Sequence, residues 1–393
     1  MEVHGRKGDT LQYYSQLFTL PYRLILDSNP HIQSNDDLNE KRVKIPGYTT
    51  ITVNKDRNDS ISEISSKYNI STDALLLVNN KLTGKKIEQS ISIPQKIKKP
   101  LIYKKAYTYE QLCNDLQELK EQFPFIKINI IGRSVLGKEI YEIQAGKGMN
   151  STHYNAAFHA NEWITSAILM KWLNEWLLQL NEESNSDDHS YFNLYLQKRI
   201  SVVPMVNPDG VNLVLKGMQA SDNKYDVKLM NDGKEEFTHW KANIRGVDLN
   251  NQFPANWDIE KERKIPKEPY FRDYPGDQPL TEPEAIAMHD LVKENHFDKV
   301  IALHSQGKEI YWGYEGYEPS HACFIAQCFE KVSGYKAIQY VDSHAGFKDW
   351  FIQAYRKPGF TLELGKGINP LPLSQFDDIY RDTAPILYAG INL

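Results

Sequence analysis

Ala156-Ala-Phe-His159-Ala-Asn-Glu162-Trp-Ile164 is where this 393-residue chain changes from one kind of backbone to another. Ala156, Ala157 and Phe158 close a short apolar, strand-like run. Trp163 then opens an amphipathic helix through Ile164, Leu169, Trp172 and Trp176. His159 and Glu162 therefore lie in a strand-to-helix turn, where side chains converge while regular elements hold the backbone. Of the 11 histidines, only His159 is followed three residues later by a glutamate. Far downstream, Ile301-Ala-Leu-His304-Ser offers a second imidazole. Two imidazoles and a carboxylate form the ligand set that leaves one position open on a catalytic zinc.

Strand-like and helical runs alternate on both sides of this turn. Residues 109–122 have helical period, and 126–131, 140–144, 200–206, 300–303 and 360–362 are short apolar runs. Further helices fit 163–181, 281–296 and 319–332. The pattern predicts an α/β domain with a largely buried, mixed sheet. Functional residues of such sheets gather at strand ends. His159, His304 and Glu363 each end or follow a predicted strand, so three distant segments are expected at one rim.

Composition bounds what else the chain can be. It is 41% hydrophobic and 25% charged, with a mean hydropathy of -0.55, as for a soluble globular protein of two or three domains. A net charge of -5, without a Lys/Arg stripe broken by aromatics, argues against a nucleic-acid partner. Residues 164–180 are the most membrane-like, but Lys171, Asn174 and Glu175 interrupt them, so no membrane partner is expected. Cys113, Cys323 and Cys328 are too few and too scattered for a disulfide framework and fit a reducing compartment. The first residues lack the apolar core of a secretory signal. The expectation is a protein cytoplasmic as synthesised, and spore- or cell-wall-associated after release.

The first hundred residues repeat. Gly8-Asp-Thr-Leu11 and Asn58-Asp-Ser-Ile61 each precede a short helix, with Thr10 and Ser60 as caps. Phe18-Thr-Leu20 matches Tyr68-Asn-Ile70, Leu24-Ile-Leu26 matches Ala74-Leu-Leu76, and Asn29 matches Asn79. Each copy closes on Ile-Pro, at Ile45-Pro46 and Ile93-Pro94. Lys7-Gly-Asp-Thr-Leu11, Ile25-Leu-Asp-Ser-Asn-Pro30 and Val43-Lys-Ile-Pro46 resemble the LysM module, a small βααβ fold. The second copy resembles it more loosely, Asn58 standing where Gly is usual. The resemblance implies binding of N-acetylglucosamine-containing glycan such as peptidoglycan. It divides the chain into modules at 1–46 and 47–95, a charged linker at 96–102 and a large domain at 103–393.

The large domain carries Ile131-Gly-Arg-Ser134, His159-Ala-Asn-Glu162, Val206-Asn-Pro-Asp-Gly210, Gly246-Val-Asp-Leu-Asn250, His304-Ser305 and Phe360-Thr-Leu-Glu-Leu364, in that order. Together they resemble the M14 zinc carboxypeptidases, which implies a carboxypeptidase A-like mixed sheet flanked by helices. By that resemblance His159, Glu162 and His304 bind one Zn2+, and Asp248 orients the first imidazole, as metal-bound histidines require. Glu363 is the general base. Arg245, or Lys241 just upstream, supplies the fixed donor for the oxyanion. Asn250, Asn251, Tyr340 and Lys348 fall at substrate-binding positions.

Two departures from the family bear on substrate. Asn251 stands where carboxypeptidases carry the Arg that clamps a C-terminal carboxylate. Lys348, just before Asp349-Trp350, is a cation at the side-chain-selecting position and would favour a carboxylate on the leaving group. The stretch from Gly246 to Trp257 resembles the branch of the family that cuts γ-D-glutamyl–diamino-acid bonds of bacterial cell-wall peptides. The resemblance therefore implies zinc-dependent hydrolysis of the γ-D-glutamyl–meso-diaminopimelate amide in peptidoglycan stem peptides. Trimming of ordinary peptide C-termini, and a non-catalytic peptidoglycan-binding protein, are the alternatives.

Overall fold

A computed structural model describes residues 1–33, 36–54, 60–79, 90–101, 103–182 and 191–393. Asn58, from the second repeat, and residue 102, from the expected linker, lie outside the described residues. The chain forms two compact units. One comprises Met1–Pro100, Asp115–Lys127 and Asn174–Asn193; the other comprises Leu101–Asn114, Ile128–Leu173 and Leu194–Leu393.

In the first unit each repeat is strand, helix, helix, strand. The first has β1 (Glu2–His4), helices Leu11–Leu17 and Tyr22–Ser28, and β2 (Arg42–Lys44); β1 and β2 pair antiparallel. The second has β3 (Tyr48–Asn54), helices Ile61–Tyr68 and Thr72–Val78, and β4 (Ser90–Lys96), again antiparallel. Thr10 caps the first helix and Ser60 forms a capping box with Glu63. The repeated asparagine explains itself. Asn29 Nδ2 donates to Ile25 O and Lys44 O at 2.8 Å, and its Oδ1 accepts from Lys44 N. Asn79 does the same with Leu75 O, Ser92 O and Ser92 N. One side chain thus staples a helix end to the closing strand in both copies. The copies also share a core, since Ala74 and Leu77 pack with Val3, Leu11 and Tyr14. Arg6 joins them further by a bidentate pair to Asp73, at 2.8 and 2.7 Å.

The second unit is built on eight strands: β5 (Lys127–Arg133), β6 (Glu139–Gly146), β7 (Asn150–Ala156), β8 (Lys198–Val203), β9 (Lys299–His304), β10 (Glu309–Tyr311), β11 (Lys336–Ile338) and β12 (Gly359–Glu363). Their order is β11-β10-β12-β9-β7-β8-β6-β5. The central strands β12, β9, β7 and β8 run parallel, while β6 and β10 are antiparallel to their neighbours β8 and β12. This is the mixed sheet expected from the alternation of runs. Among the described residues, no helix is long and apolar enough to cross a membrane.

β10, β11 and most of β7 fall outside the expected runs, and the run over Ala156, Ala157 and Phe158 meets β7 only at its last residue. β7, Asn-Ser-Thr-His-Tyr-Asn-Ala, is polar in composition yet central in the sheet and almost wholly buried. Its His153 is fully buried, its ring stacked 4.9 Å from Phe297. Ser201 Oγ donates to Glu142 at 2.6 Å, so it accepts from His153 Nδ1 at 3.0 Å. Burial pushes the imidazole down to about 3. His153 thus stays neutral in the fold, while the unfolded chain takes up a proton below about 6.5. Its contribution to stability is complete above that value and is lost as pH falls toward 3. Replacing His153 by Gln is expected to remove about 2 kcal/mol of the acid-induced loss between about pH 7 and pH 5, read by urea unfolding of both proteins. An unchanged pH slope would show that the imidazole titrates in the fold.

Candidate metal centre and active site

β7 ends at Ala156, and the turn that follows is tied down before any ligand appears. Ala157 takes a positive φ of 50°. Its N–H donates to Thr165 Oγ1 at 3.0 Å, and the Thr165 hydroxyl donates to Glu162 O at 2.7 Å. Asn207, from the Asn-Pro-Asp-Gly stretch, caps its own helix by accepting from Gly210 N. Its amide donates to Phe158 O at 3.2 Å and Ala242 O at 3.0 Å, joining the His159 turn to the Lys241 segment. A Cβ at Gly210 would meet Ala242 O at 2.7 Å, so that approach needs glycine.

His159, Glu162 and His304 are buried, and one ligand atom of each lies within 4.8 Å of the other two. His159 Nδ1 is 2.8 Å from Glu162 Oε1 and 3.2 Å from His304 Nδ1, and His304 Nδ1 is 3.0 Å from Glu162 Oε2. A tetrahedral ion with bonds of about 2.0–2.1 Å sets its ligand atoms about 3.3 Å apart. The observed edges suit such an ion. The tautomer suits it too. Asp248 can only accept, so His159 Nε2–H donates to Asp248 Oδ1 at 3.2 Å, and the Nδ1 lone pair faces the centre. The His304 ring is fixed by stacking on Phe158, 8° from parallel.

Charge is arranged to match. Burial disfavours the Glu162 carboxylate, but the two imidazoles override it and hold it well below the usual carboxylate range. Burial likewise works against a charged His159, and without an ion Glu162 and Asp248 raise it to about 9, so a bound metal takes the place of its Nδ1 proton. His304 is lowered, chiefly by burial. Asp248 also holds Lys241, whose Nζ lies 2.7 Å from Oδ2 and 2.9 Å from Asp273 Oδ1. Against its burial, those two carboxylates keep the Lys241 ammonium charged.

β12 and β9 are parallel neighbours whose register sets Glu363 beside His304. Both strands end there, so the two side chains share one rim. Glu363 is half-buried, and burial together with the Glu162 charge pushes its carboxyl up. His159, Glu162, Lys241 and Glu363 line a cleft of about 420 Å³. Asn161, His239, Arg272, Gln306, Tyr311 and Asn369 line it as well.

Other expectations need correction. Arg245 does not reach the cleft. Its side chain is 42% exposed, with Nε 3.3 Å from the Tyr225 hydroxyl and Nη1 3.7 Å from Glu282. Gly246 follows at a φ of 77° and a Cβ there would meet Tyr270 N at 2.8 Å, so the chain turns sharply after Arg245. Lys241 is the cation in the cleft. Tyr340 is 54% exposed and donates to Glu318 at 2.8 Å, outside the cleft lining. Lys348 is buried, but its Nζ is engaged by Asp349 and Gly313 O, both at 2.8 Å, so it is not a free cation. Asn250 and Asn251 do meet the segment just before it. Asn250 Oδ1 accepts from Phe347 N, and Asn251 Nδ2 donates to Glu260 at 3.3 Å and His344 O at 3.4 Å.

Asn369 was not legible in the sequence. It donates to Ser305 O at 2.6 Å and approaches Glu162 Oε1 at 3.4 Å, bracing one ligand from a distant loop. Asn369-Pro370 signals only a turn.

The family model of the zinc carboxypeptidases matches residues 112–385. The chain belongs to that family. A LysM domain model matches residues 56–98, the second N-terminal repeat. Over its whole length and the whole of the relative, this zinc carboxypeptidase family member is 45% identical to gamma-D-glutamyl-L-diamino acid endopeptidase 1 of Lysinibacillus sphaericus. It is 47% identical over 292 residues to the uncharacterized protein YqgT of Bacillus subtilis (strain 168), spanning 73% of this chain and 77% of that one. Among solved structures, thrombin activatable fibrinolysis inhibitor shares the zinc carboxypeptidase fold at a TM-score of 0.60, 19% identity and 74% of each chain. Carboxypeptidase A from Helicoverpa armigera does so at 0.57 and 17% identity, over 88% of this chain and 97% of that one.

Proposed function

We propose that this chain hydrolyses the γ-D-glutamyl–meso-diaminopimelate amide of peptidoglycan stem peptides, with one Zn2+ held by His159, Glu162 and His304. The observation that carries the reading is the end-to-end similarity to the Lysinibacillus endopeptidase, which covers the N-terminal repeats as well as the peptidase domain. Asn251 supports it. A neutral side chain engaged with Glu260 and His344 O stands where a C-terminal carboxylate would otherwise be clamped.

When bound, zinc polarises the scissile carbonyl and makes water a stronger acid. Glu363 accepts a proton from the attacking water and passes it to the amide nitrogen. The new C–O bond forms first and leaves charge on the carbonyl oxygen; the C–N bond breaks when the C=O re-forms and the nitrogen takes the proton. Lys241, held charged between Asp248 and Asp273, places a fixed positive charge in the cleft for the developing oxyanion. Asp248 orients both this cation and the His159 ring. The LysM repeats hold the N-acetylglucosamine-containing glycan and raise the local concentration of stem peptide.

Mass spectrometry of defined muropeptides tests the reading. Digests are expected to split between γ-D-Glu and the diamino acid, and a chelator should stop the cleavage. Products that retain this bond while a terminal residue is released would return the chain to ordinary carboxypeptidase activity.

A further inference from the structure

The γ-linked substrate has a feature that α-linked peptides lack. When D-Glu is joined through its side-chain carboxyl, its α-carboxylate stays free, separated from the scissile carbonyl by three carbons, on the order of 5 Å. A cleft that binds the acyl side of this bond must therefore solvate an anion close to the reacting carbon. The family reading places Asn250, Asn251 and the segment before Lys348 on the leaving-group side, and none of them lines the open cleft. The cleft is left for the acyl portion.

Besides the ligand His159, three basic side chains line it: His239, Lys241 and Arg272. His239 Nδ1 lies 3.0 Å from Asn369 O. Lys241 lies between Asp248 and Asp273. Arg272 differs. Its Nε donates to Asp273 Oδ2 at 2.8 Å, and its side chain is 48% exposed. Among the described residues its two terminal nitrogens have no partner. The neighbouring backbone is fixed, because Phe271 O accepts from Lys241 N and Lys241 O accepts from Ala160 N, linking this loop to the ligand turn. Asp273 thus sets Lys241 and Arg272 on its two oxygens, one cation for the reacting carbonyl and one with a free guanidinium edge. A guanidinium pinned at Nε presents its remaining donors as a planar fork, the geometry that pairs with a carboxylate.

The geometry points to Arg272 as the specificity residue that binds the free α-carboxylate of the γ-linked D-glutamate. This rests on the γ-glutamyl reading of the cleft and names the contact that distinguishes γ- from α-linked substrate. Nothing in the sequence marked Arg272 out, since it lies between the motifs.

The test compares L-Ala-γ-D-Glu-meso-diaminopimelate with the analogue whose glutamyl α-carboxylate is a carboxamide. The zinc-loaded full-length enzyme is expected to favour the acid by about 10- to 100-fold in kcat/KM, the range for a hydrogen bond to a charged group. Arg272→Met should reduce cleavage of the acid to the level of the amide and leave the amide within about threefold. Arg272→Lys, charged but without the fork, should fall between them. A binding readout separates contact from chemistry. In a Glu363→Gln background, Arg272→Met should raise the Kd for the acid by the same factor and leave that for the amide unchanged. Equal cleavage of both substrates by the parent enzyme, or an equal loss on both in Arg272→Met, overturns the assignment while the γ-glutamyl reading stands. If the zinc-loaded parent cuts neither γ-linked substrate, both fall together.

Discussion

Glu363→Gln is expected to lower kcat by about 10³- to 10⁴-fold, with zinc still bound at one per chain. The substitution keeps the shape of the side chain at the end of β12, where register sets it beside His304. An amide cannot accept the proton of the attacking water, so the loss should appear in kcat rather than in KM. The metal ligands belong to other segments and should hold zinc as before. A second consequence follows from the raised carboxyl. Burial and the Glu162 charge make an ionised Glu363 unfavourable in the metal-free protein. The glutamine variant without zinc should therefore melt no lower than the parent. A kcat within about tenfold of the parent would remove Glu363 from the proton path.

Asp248→Asn is expected to weaken zinc binding by about 10- to 100-fold, the usual cost of losing the carboxylate behind a ligating imidazole. Asn can offer His159 Nε2 an oxygen, but without the charge that fixes the proton there. It also leaves Lys241 with only Asp273. Removing one partner of a buried pair costs about 3–5 kcal/mol, and the remaining carboxylate should hold the loss near the lower end. Zinc titration against a competing chelator reads the first effect, and urea unfolding of the metal-free protein reads the second. Full zinc affinity with unchanged stability would mean that Asp248 only caps the short helical turn Leu249–Asn251.

The site was most legible where residue type and element boundary coincide. His159, His304 and Glu363 each sit at or just after a strand end, and a sheet of parallel central strands brings such ends to one rim. Helix period placed Tyr109–Gln122 without error, and Ile164–Glu182 to within a residue. Most of β7 was illegible because its polar residues satisfy one another inside the sheet, as His153, Ser201 and Glu142 do, so an apolar run marks only its end at Ala156. Lys241 and Arg245 are both cations ahead of the Gly-Val-Asp stretch. Only the turn at Gly246 and the carboxylate of Asp248 show which of them faces inward. Lys348 reads as a free charge in sequence, yet Asp349, its neighbour on the same helix, neutralises it. Asn369 and Arg272 reach the cleft from irregular segments, where no period predicts direction.

Zinc-edge X-ray absorption on the purified full-length protein tests the central claim most directly. The account predicts one zinc per chain, with two imidazole nitrogens and carboxylate oxygen at about 2.0–2.2 Å and no sulfur. It also predicts that His304→Ala loses the metal. Sulfur at about 2.3 Å, which would place the ion on cysteines such as Cys113, Cys323 or Cys328, would contradict it, as would an unchanged spectrum in His304→Ala.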